Sequence, residues 1–394
     1  MMSEQTMSKD LNQLSNEDFR LQFRHFLAAH FPPELRQDFR RPFFRLRGET
    51  ERDWLKTLHQ HGWRAPAWPR EYGGMGLSFD KQMIYHEELE HANVARVADM
   101  GDTMLGPTLI QFGNEEQKRY YIPRILSCEH GWAQGYSEPG AGSDLASLRT
   151  QAVRDGEFFV VNGQKIWTTM ANNRTHCFAL VRTGKYPKKQ QGISFLIIDL
   201  SSPGVTIRTI FNLAGEDELC EVFFDNVRVP VQNLVGELDK GWTIAKSLLG
   251  FERIWIGSPG VASKALSITR QLLAETGQDK QPGVMDRYAV LAADLYDFRA
   301  LYAEMCAKAV ESGARGPEIS ALKVYVSELL QRITEFNLEL GLEHAGIVGE
   351  VEIGQTTFDL HRQFMVARPA SIFGGTNEVQ RDILARAVLE MPAE

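Results

Sequence analysis

The chain has 394 residues, 43% of them hydrophobic and 24% charged, which is a globular balance with room for two or three domains. Its formal net charge of -8 argues against a nucleic-acid-binding protein, because such proteins normally present a basic face. Four scattered cysteines without Cys-x-x-Cys spacing argue against a zinc site and a disulfide framework. The N-terminus is polar, and the longest apolar run, Ile193 to Leu200, is too short to span a membrane. A cytoplasmic enzyme or binding protein is expected.

Residues 1–130 are predicted to form an all-helical domain. Ser15 followed by Asp18 is typical of a capping box, and Phe19, Phe23 and Phe26 then repeat at helical spacing. Further helices are expected at 51–61 and 79–97, separated by a connection rich in proline and glycine at 63–76.

An acidic cluster, Glu87, Glu88 and Glu90, lies in the last of these helices. It could bind a metal ion, but a solvated helix face is the favoured interpretation, because such residues are usually exposed. On that interpretation no metal site is expected.

Residues 131–238 are predicted to form a β-domain. Arg154-Asp155-Gly156-Glu157 between β-rich runs indicates a hairpin, and further strands are expected at 164–169, 176–181, 193–200 and 221–224. Because no helices separate these strands, they favour a small barrel or sandwich over a parallel sheet. Lys185 to Gln191 is expected to be an exposed basic loop.

Residues 239–394 are predicted to be helical again, with helices at 241–275, 285–312, 317–345, 355–367 and 375–390. Pro282-Gly283 and Gly316-Pro317 mark breaks between them. Long helices joined by short loops favour an antiparallel bundle. The predicted fold class is therefore α+β, mostly α, in the order helical, β, helical.

Two segments of the β-domain suggest a ligand site. The loop from Tyr136 to Asp144 has two glycines and two hydroxyl side chains, and it could bring backbone N–H groups close to an anion. Lys165 to Thr169 adds an aromatic ring and two hydroxyls in a strand-like run. Together they indicate a site for a flat-ringed ligand that bears phosphate, although composition alone fits a plain turn as well.

Glu252 is the candidate catalytic residue. In a helix it shares a face with Leu248, Leu249, Trp255 and Ile256, all of them apolar. A desolvated carboxylate has a raised pKa, which suits a general base near neutral pH. A structural ion pair is the alternative.

The order of residues in these motifs is more specific than their composition. YSEPGAGSDL followed by VNGQKIWTT, together with Ile372 to Arg381 near the end, resembles the acyl-CoA dehydrogenase family over about residues 14–389. The resemblance implies an N-terminal helical domain, a middle β-barrel and a C-terminal four-helix bundle. It also implies an FAD-dependent enzyme of fatty-acid or side-chain β-oxidation that converts an acyl-CoA to a trans-2-enoyl-CoA.

One departure from the family pattern bears on the catalytic base. Most members carry a glutamate base in a C-terminal sequence like YEGT, and this chain has FGGT, with Gly374 at that position. Other members, of the isovaleryl and long-chain type, carry the base on the first helix after the β-domain, directly before an arginine, as Glu252-Arg253 does here. The resemblance therefore implies that Glu252 removes the α-proton and that the β-hydride moves to flavin N5. The backbone N–H of Gly374 and a flavin hydroxyl would polarise the thioester carbonyl.

The remaining site residues are carried over from the family by motif. Ser143, Arg253 and Gly375 are expected to contact the substrate. The expected FAD contacts are Gln134, Tyr136, Ser137, Gly142, Ser143, Trp167, Thr168, Thr169, Thr376 and Glu378. Glu138 and Asp144 are expected to stabilise the loop.

Two motifs that supply FAD contacts from a neighbouring subunit in the family do not match. No clear Arg-x-x-Phe occurs at 269–287, and ELGLEHAG stands at 339–346 where Gln-x-x-Gly-Gly is expected. A homodimer, a homotetramer and an α2β2 heteromer for bulky substrates all remain open, with electron-transfer flavoprotein as the expected electron acceptor. A partner subunit without turnover of its own, and a flavin monooxygenase or nitroalkane-oxidase-like enzyme, are the alternative functions.

Overall fold

A computed structural model describes residues 10–36, 42–94, 99–312 and 316–392, without the side chains of 249–256 and 310–312. The chain divides into two compact units. The first comprises residues 1–40, 44–132 and 173–175, and the second comprises 41–43, 133–172 and 176–394. The three predicted domain boundaries stay a prediction. No helix of the described residues is long and apolar enough to cross a membrane.

The first unit is helical, as predicted. Its α-helices are α1 (Asn16–His30), α2 (Gly48–Gln60), α3 (Phe79–His91), α4 (Gly106–Phe112) and α5 (Glu115–Leu126). The Ser15 hydroxyl caps α1 by accepting from the backbone N–H of Asp18 at 3.0 Å. The predicted apolar stripe is buried, and Phe23 packs against Trp63 and Tyr85 in the core of this unit.

The structure corrects two predictions in the first unit. The helix expected at 79–97 ends at His91, and residues 95–97 lie outside the described part. The acidic cluster is not a solvated face at Glu88, which is 1% exposed. Its carboxylate accepts from Arg20 at 2.8 Å and Arg24 at 2.5 Å, so the predicted helix face is in part a salt-bridged contact between α1 and α3.

A buried cluster of charges lies between α2 and α5. Arg64 donates from Nε to Asp102 at 2.9 Å, and Asp99 accepts from the backbone N–H of Gly101 at 2.7 Å. Burial raises the pKa of Asp99 to about 7, with the neighbouring Asp102 carboxyl adding to the shift and the Arg174 and Arg64 guanidinium groups opposing it. Arg174 itself makes a two-pronged ion pair with Glu51, at 2.8 and 2.9 Å.

The second unit contains the predicted β-domain. Its strands are β1 (Trp132–Gly135), β2 (Gln151–Asp155), β3 (Phe158–Lys165), β4 (His176–Arg182), β5 (Ile193–Asp199), β6 (Val205–Ile210), β7 (Leu219–Pro230) and β8 (Leu234–Val235). Among the described residues they form one sheet in the order β6-β7-β3-β2-β4-β5-β8, with β1 paired to β4. The β2–β4 pair is parallel, whereas β2–β3, β3–β7, β4–β5, β5–β8 and β6–β7 are antiparallel.

The hairpin prediction is confirmed, and one strand prediction is wrong. Asp155 pairs with Phe158 across Gly156 and Glu157, and Gly156 has φ +58°. The strand expected at 164–169 instead ends at Lys165. The chain then turns sharply, because Trp167 and Met170 both have left-handed backbone angles, φ +59° and +60°.

The rest of the second unit is helical apart from one short hairpin. Its helices are α6 (Gly241–Ile256), α7 (Gly260–Thr276), α8 (Pro282–Ser312), α9 (Ser320–Leu340), α10 (Leu360–Ala367) and α11 (Asn377–Ala387), and its hairpin is β9 (Val351–Ile353) with β10 (Thr356–Phe358). The helix predicted at 241–275 is broken before Pro259, which has no N–H to continue the ladder. The helix predicted at 355–367 begins only at Leu360, because 356–358 form β10.

Close packing sets the position of α6 on the sheet. A Cβ at Gly241 would lie 2.6 Å from the Ser194 carbonyl carbon of β5. Ile244, Ala245 and Leu248 follow on the same helix and are at most 4% exposed. Leu248 is one helical turn before Glu252, whose backbone is in α6 and whose side chain lies outside the described residues.

Candidate active site

The glycine-rich loop after β1 is anchored from below by a buried ion pair. Glu138 accepts from Lys165 Nζ at 2.8 Å and from the backbone N–H groups of Arg149 at 2.6 Å and Thr150 at 2.9 Å. Lys165 is fully buried and Glu138 is 8% exposed. Burial alone would raise the pKa of the Glu138 carboxyl, but the Lys165 charge and these donors hold it below its usual range. Glu138 therefore stabilises the loop.

The outer part of this loop is open. Gly140, Gly142 and Ser143 are exposed, and a Cβ at either glycine would meet no atom within 4 Å. Within the described residues, the N–H groups of Gly142 and Ser143 have no acceptor. Asp144 closes the loop through Lys189 Nζ at 2.6 Å. The loop thus offers backbone donors to a ligand, as an anion-binding loop does.

The segment after β3 lies against this loop. Ile166 N–H donates to Ser137 O at 2.9 Å, and Lys165 Nζ donates to Tyr136 O at 3.1 Å. Trp167, in its left-handed conformation, leaves 54% of its surface exposed. A large exposed aromatic side chain on a strained backbone is a feature typical of ligand-binding sites.

Two buried polar atoms in the same region have no hydrogen-bond partner among the described residues. They are Gln134 Nε2, on β1, and Thr168 Oγ1, on a residue that is fully buried. A buried donor or acceptor without a partner costs about 1–3 kcal/mol, so each such group in a folded protein calls for an explanation. A ligand that supplies the missing partners is one.

A second group of predicted residues lies just before α11. Gly374 and Gly375 both have left-handed angles, φ +64° and +84°, which glycine adopts at no steric cost. Pro369 O accepts from the N–H groups of Ile372 and Phe373, at 2.9 and 3.0 Å, and so fixes the entry to the turn. Within the described part of the chain, the N–H groups of Gly374 and Gly375 have no acceptor. The turn therefore presents two backbone donors.

The first turn of α11 follows directly. Thr376 caps the helix, accepting from Val379 N–H at 3.3 Å. Glu378 is exposed in this first turn, where its own backbone N–H and the Thr376 hydroxyl lower the pKa of its carboxyl. No hydrogen bond among the described residues joins this group to the glycine-rich loop.

Comparison with known proteins identifies the family. Family models for the acyl-CoA dehydrogenase N-terminal, middle and C-terminal domains match residues 15–129, 133–227 and 239–389. The chain is 36% identical over 394 residues to acyl-CoA dehydrogenase IpdE1 of Mycobacterium tuberculosis, covering 96% of this chain and 98% of that protein. The chain belongs to the acyl-CoA dehydrogenase family.

Two solved structures share its fold. The Tcur3481-Tcur3483 steroid ACAD has a TM-score of 0.83 at 30% identity, over 98% of this chain and 100% of that one. The ChsE4-ChsE5 complex from Mycobacterium tuberculosis has a TM-score of 0.81 at 31% identity, over the whole of both chains. The predicted family, fold class and enzyme class, an oxidoreductase of the acyl-CoA CH–CH bond, are confirmed.

Membership of the acyl-CoA dehydrogenase family implies a flavin cofactor, and the described residues fit one. Gln134 and Thr168 offer buried polar atoms that need partners, and Trp167, next to Thr168 in sequence, offers an exposed ring. Gly142 and Ser143 offer unpaired backbone donors for a phosphate. The positions of Glu252 and Arg253 along α6 are described, but their side chains are not.

Four residues that support the glycine-rich loop or the Gly374–Gly375 turn through buried hydrogen bonds were not predicted from the sequence. They are Lys165, Lys323, Asn377 and Gln380. Lys165 had a weak signal, because it directly precedes the aromatic and hydroxyl residues of its segment. Gln380 had one as well, because it follows the capping Thr376 by one helical turn and can therefore reach back to the preceding loop. Lys323 had none, because a lysine in a helix is usually exposed.

Proposed function

We propose that this protein is an FAD-dependent acyl-CoA dehydrogenase that converts an acyl-CoA thioester to its trans-2-enoyl-CoA, with Glu252 as the base. The observation that carries this proposal is the left-handed turn at Gly374–Gly375. By the family resemblance, Gly374 occupies the position at which most members have a glutamate base, so a carboxylate would have to come from elsewhere. Glu252-Arg253 on α6 matches the family's second arrangement.

The residues of the chain would divide the work as follows. Glu252, which lies on α6 one helical turn after the buried Leu248, removes the α-proton. The Gly374 N–H polarises the thioester carbonyl, while Ser143, Arg253 and Gly375 contact the thioester and its coenzyme A. A donor aimed at a developing oxyanion is worth about 10²- to 10³-fold in kcat.

The cofactor site would use both described groups. Gln134, Tyr136, Ser137, Gly142 and Ser143 belong to the loop side, and Trp167, Thr168 and Thr169 to the ring side. Thr376 and Glu378 would add contacts from the start of α11. FAD, when bound, would accept the β-hydride at N5, and electrons would leave to electron-transfer flavoprotein.

A subunit of an α2β2 heteromer for bulky acyl-CoAs is the second candidate. It is favoured by the sequence ELGLEHAG at 339–346, which lacks the expected pattern, and by a solved relative that is named as a complex, ChsE4-ChsE5. In the chain alone, residues 342–344 form a turn with Leu342 57% exposed. A monooxygenase or nitroalkane-oxidase-like activity has no comparable support.

The test uses the full chain expressed alone. Its visible spectrum is recorded, and the flavin band is then followed anaerobically on adding linear, branched and steroid side-chain acyl-CoAs. We expect a yellow protein that bleaches with one class of thioester, and a Glu252→Gln variant that stays yellow, since an amide cannot accept the α-proton. Glu304→Gln, which removes an exposed carboxylate of α8, serves as the control and should bleach like wild type.

Three outcomes separate the proposals. Bleaching of Glu252→Gln at the wild-type rate would show that another group is the base. A colourless protein that becomes yellow only when co-purified with a second acyl-CoA dehydrogenase-like chain would establish the heteromer. A yellow protein that consumes oxygen after reduction but bleaches with no acyl-CoA would contradict the dehydrogenase.

A further inference from the structure

A buried polar network lies directly behind the Gly374–Gly375 turn. Gln380, on α11, is 1% exposed, and its Nε2 donates to Gly374 O at 2.9 Å. A Cβ at Gly375 would lie 2.6 Å from the same nitrogen. Gln380 thus packs against the turn and holds one of its carbonyls, while the open N–H groups belong to the two glycines.

This single hydrogen bond restricts both donors. Gly374 O and the Gly375 N–H belong to one rigid peptide unit, so holding the oxygen fixes the direction of the N–H. The Gly374 N–H belongs to the preceding peptide unit, and the two units meet at the Gly374 Cα. Pro369 O fixes the entry to the turn and Gln380 fixes its exit, which leaves the glycines little freedom between them.

The start of α11 is held by a second set of buried contacts. Asn377, 3% exposed, accepts at Oδ1 from Lys323 Nζ of α9 at 2.8 Å. Its Nδ2 donates to Ser327 Oγ at 3.0 Å and to Glu328 Oε1 at 3.1 Å. Lys323 is 1% exposed, which is rare for a lysine without a structural task. These bonds fix the helix on which Gln380 is carried.

We propose that Gln380, supported by the Lys323–Asn377 pair, is a positioning residue that aims the Gly374 and Gly375 N–H groups at the thioester carbonyl. The proposal rests on the proposed function, since it concerns the same carbonyl. Gln380 does not touch the substrate itself. It acts through the backbone of the turn.

A kinetic signature follows from this role. An oxyanion donor contributes most when negative charge develops on the carbonyl oxygen, so misdirecting it lowers kcat more than it changes KM. We expect Gln380→Met, which removes the donor at similar side-chain length, to lower kcat by about 10- to 100-fold. Lys323→Met should give a smaller loss in the same direction, and Lys323→Arg should restore part of it by keeping the charge.

The chain offers a matched control in Gln82 of α3. Its Nε2 donates to one backbone carbonyl, Leu77 O, at 2.8 Å, it is 8% exposed, and its Oε1 is buried without a hydrogen-bond partner among the described residues, like that of Gln380. Gln82→Met therefore costs a similar bond in the first unit. We expect it to lower Tm as Gln380→Met does and to leave kcat unchanged.

The deciding readout is carbonyl polarisation measured without turnover. The probe is an enoyl-CoA conjugated to a dialkylaminophenyl ring, whose absorption moves to the red when its carbonyl is polarised. Bound to wild-type holoenzyme it should show a red shift, which Gln380→Met should lose in large part and Gln82→Met should keep. FAD content and Tm are recorded for each variant. Should Gln380→Met not fold, Gln380→Leu, which also lacks the donor, takes its place.

The outcomes distinguish this inference from the proposed function. A wild type that neither bleaches with an acyl-CoA nor shifts the probe spectrum would contradict both the proposed function and the positioning role of Gln380. A wild type that does both, with Gln380→Met, or Gln380→Leu in its place, showing the full red shift and the wild-type kcat, would overturn the positioning role alone. Equal losses in Gln82→Met and Gln380→Met would reduce Gln380 to a stabilising residue.

Discussion

At the scale of single residues, the glycine-rich loop depends on one buried pair of charges. Lys165 and Glu138 pay for their desolvation through each other and through the backbone donors of Arg149 and Thr150. The neighbouring pair Lys189–Asp144 is exposed on both sides. The two pairs touch the same loop and differ chiefly in burial, so they allow a direct comparison of buried and exposed charge.

We expect Lys165→Met to lower the free energy of unfolding by about 3–5 kcal/mol, because it leaves the Glu138 carboxylate buried without its cation. Lys189→Met should change it by less than about 1 kcal/mol, as removal of an exposed partner usually does. Urea unfolding of the two variants measures both values. Adding Glu138→Gln to Lys165→Met should recover part of the loss, and a Lys165→Met variant as stable as Lys189→Met would show that the loop is held by something else.

At the scale of elements, the position of α6 matters because this helix carries Glu252. Gly241 lets the first turn of α6 approach β5 closely. Pro259 separates α6 from α7 within the region where a single longer helix was predicted. The sequence predicted the helix and its apolar face from periodicity. The prediction missed the break, although Pro259 is a local signal for one.

Gly241→Ala and Gly283→Ala form a matched pair in the first turns of α6 and α8. A Cβ at position 241 would lie 2.6 Å from backbone, which cannot move cheaply, whereas at 283 it meets no atom within 4 Å. We expect Gly241→Ala to destabilise the protein by about 1–3 kcal/mol and to lower kcat by shifting α6. Gly283→Ala should be neutral or stabilising by up to about 1 kcal/mol. Thermal unfolding and turnover are measured for both variants. Equal stability of the two would contradict close packing at Gly241.

Features of the site that depend on local sequence were predicted, and features that depend on contacts with other elements were not. Sequence motifs correctly predicted that Glu138 stabilises its loop, and they gave the family. They wrongly extended β3 to Thr169, because apolar and β-branched residues continue past Lys165 while the left-handed turn at Trp167 has no propensity signal in a non-glycine residue. Lys323 could not be predicted, because its partner lies on another helix, and Gln380 had only the weak signal of its place one helical turn after Thr376.

At the scale of the whole molecule, stability and pH are linked through buried groups. In the unfolded chain Asp99 titrates near its ordinary value of about 3.9, and in the folded protein burial raises its pKa to about 7. Between these values the folded state holds a proton that the unfolded state has lost. The contribution of Asp99 to stability is therefore fully present below about pH 4 and is lost as pH rises through about 7.

Asp99→Asn mimics the protonated group at every pH and keeps an oxygen for the Gly101 N–H. We expect its Tm to exceed that of wild type by roughly 2–5 °C at pH 8, with the difference shrinking steadily towards pH 4.5. The difference in Tm between the two proteins reports on Asp99 alone, because other carboxylates are the same in both. Glu138, for example, has a lowered pKa, so its contribution to stability is lost as the pH falls rather than as it rises. Asp53→Asn, at an exposed position of α2, supplies the control. A Tm offset that is the same at both pH values would show that Asp99 is ionised in the folded protein throughout, with its charge fully met by Arg174 and Arg64.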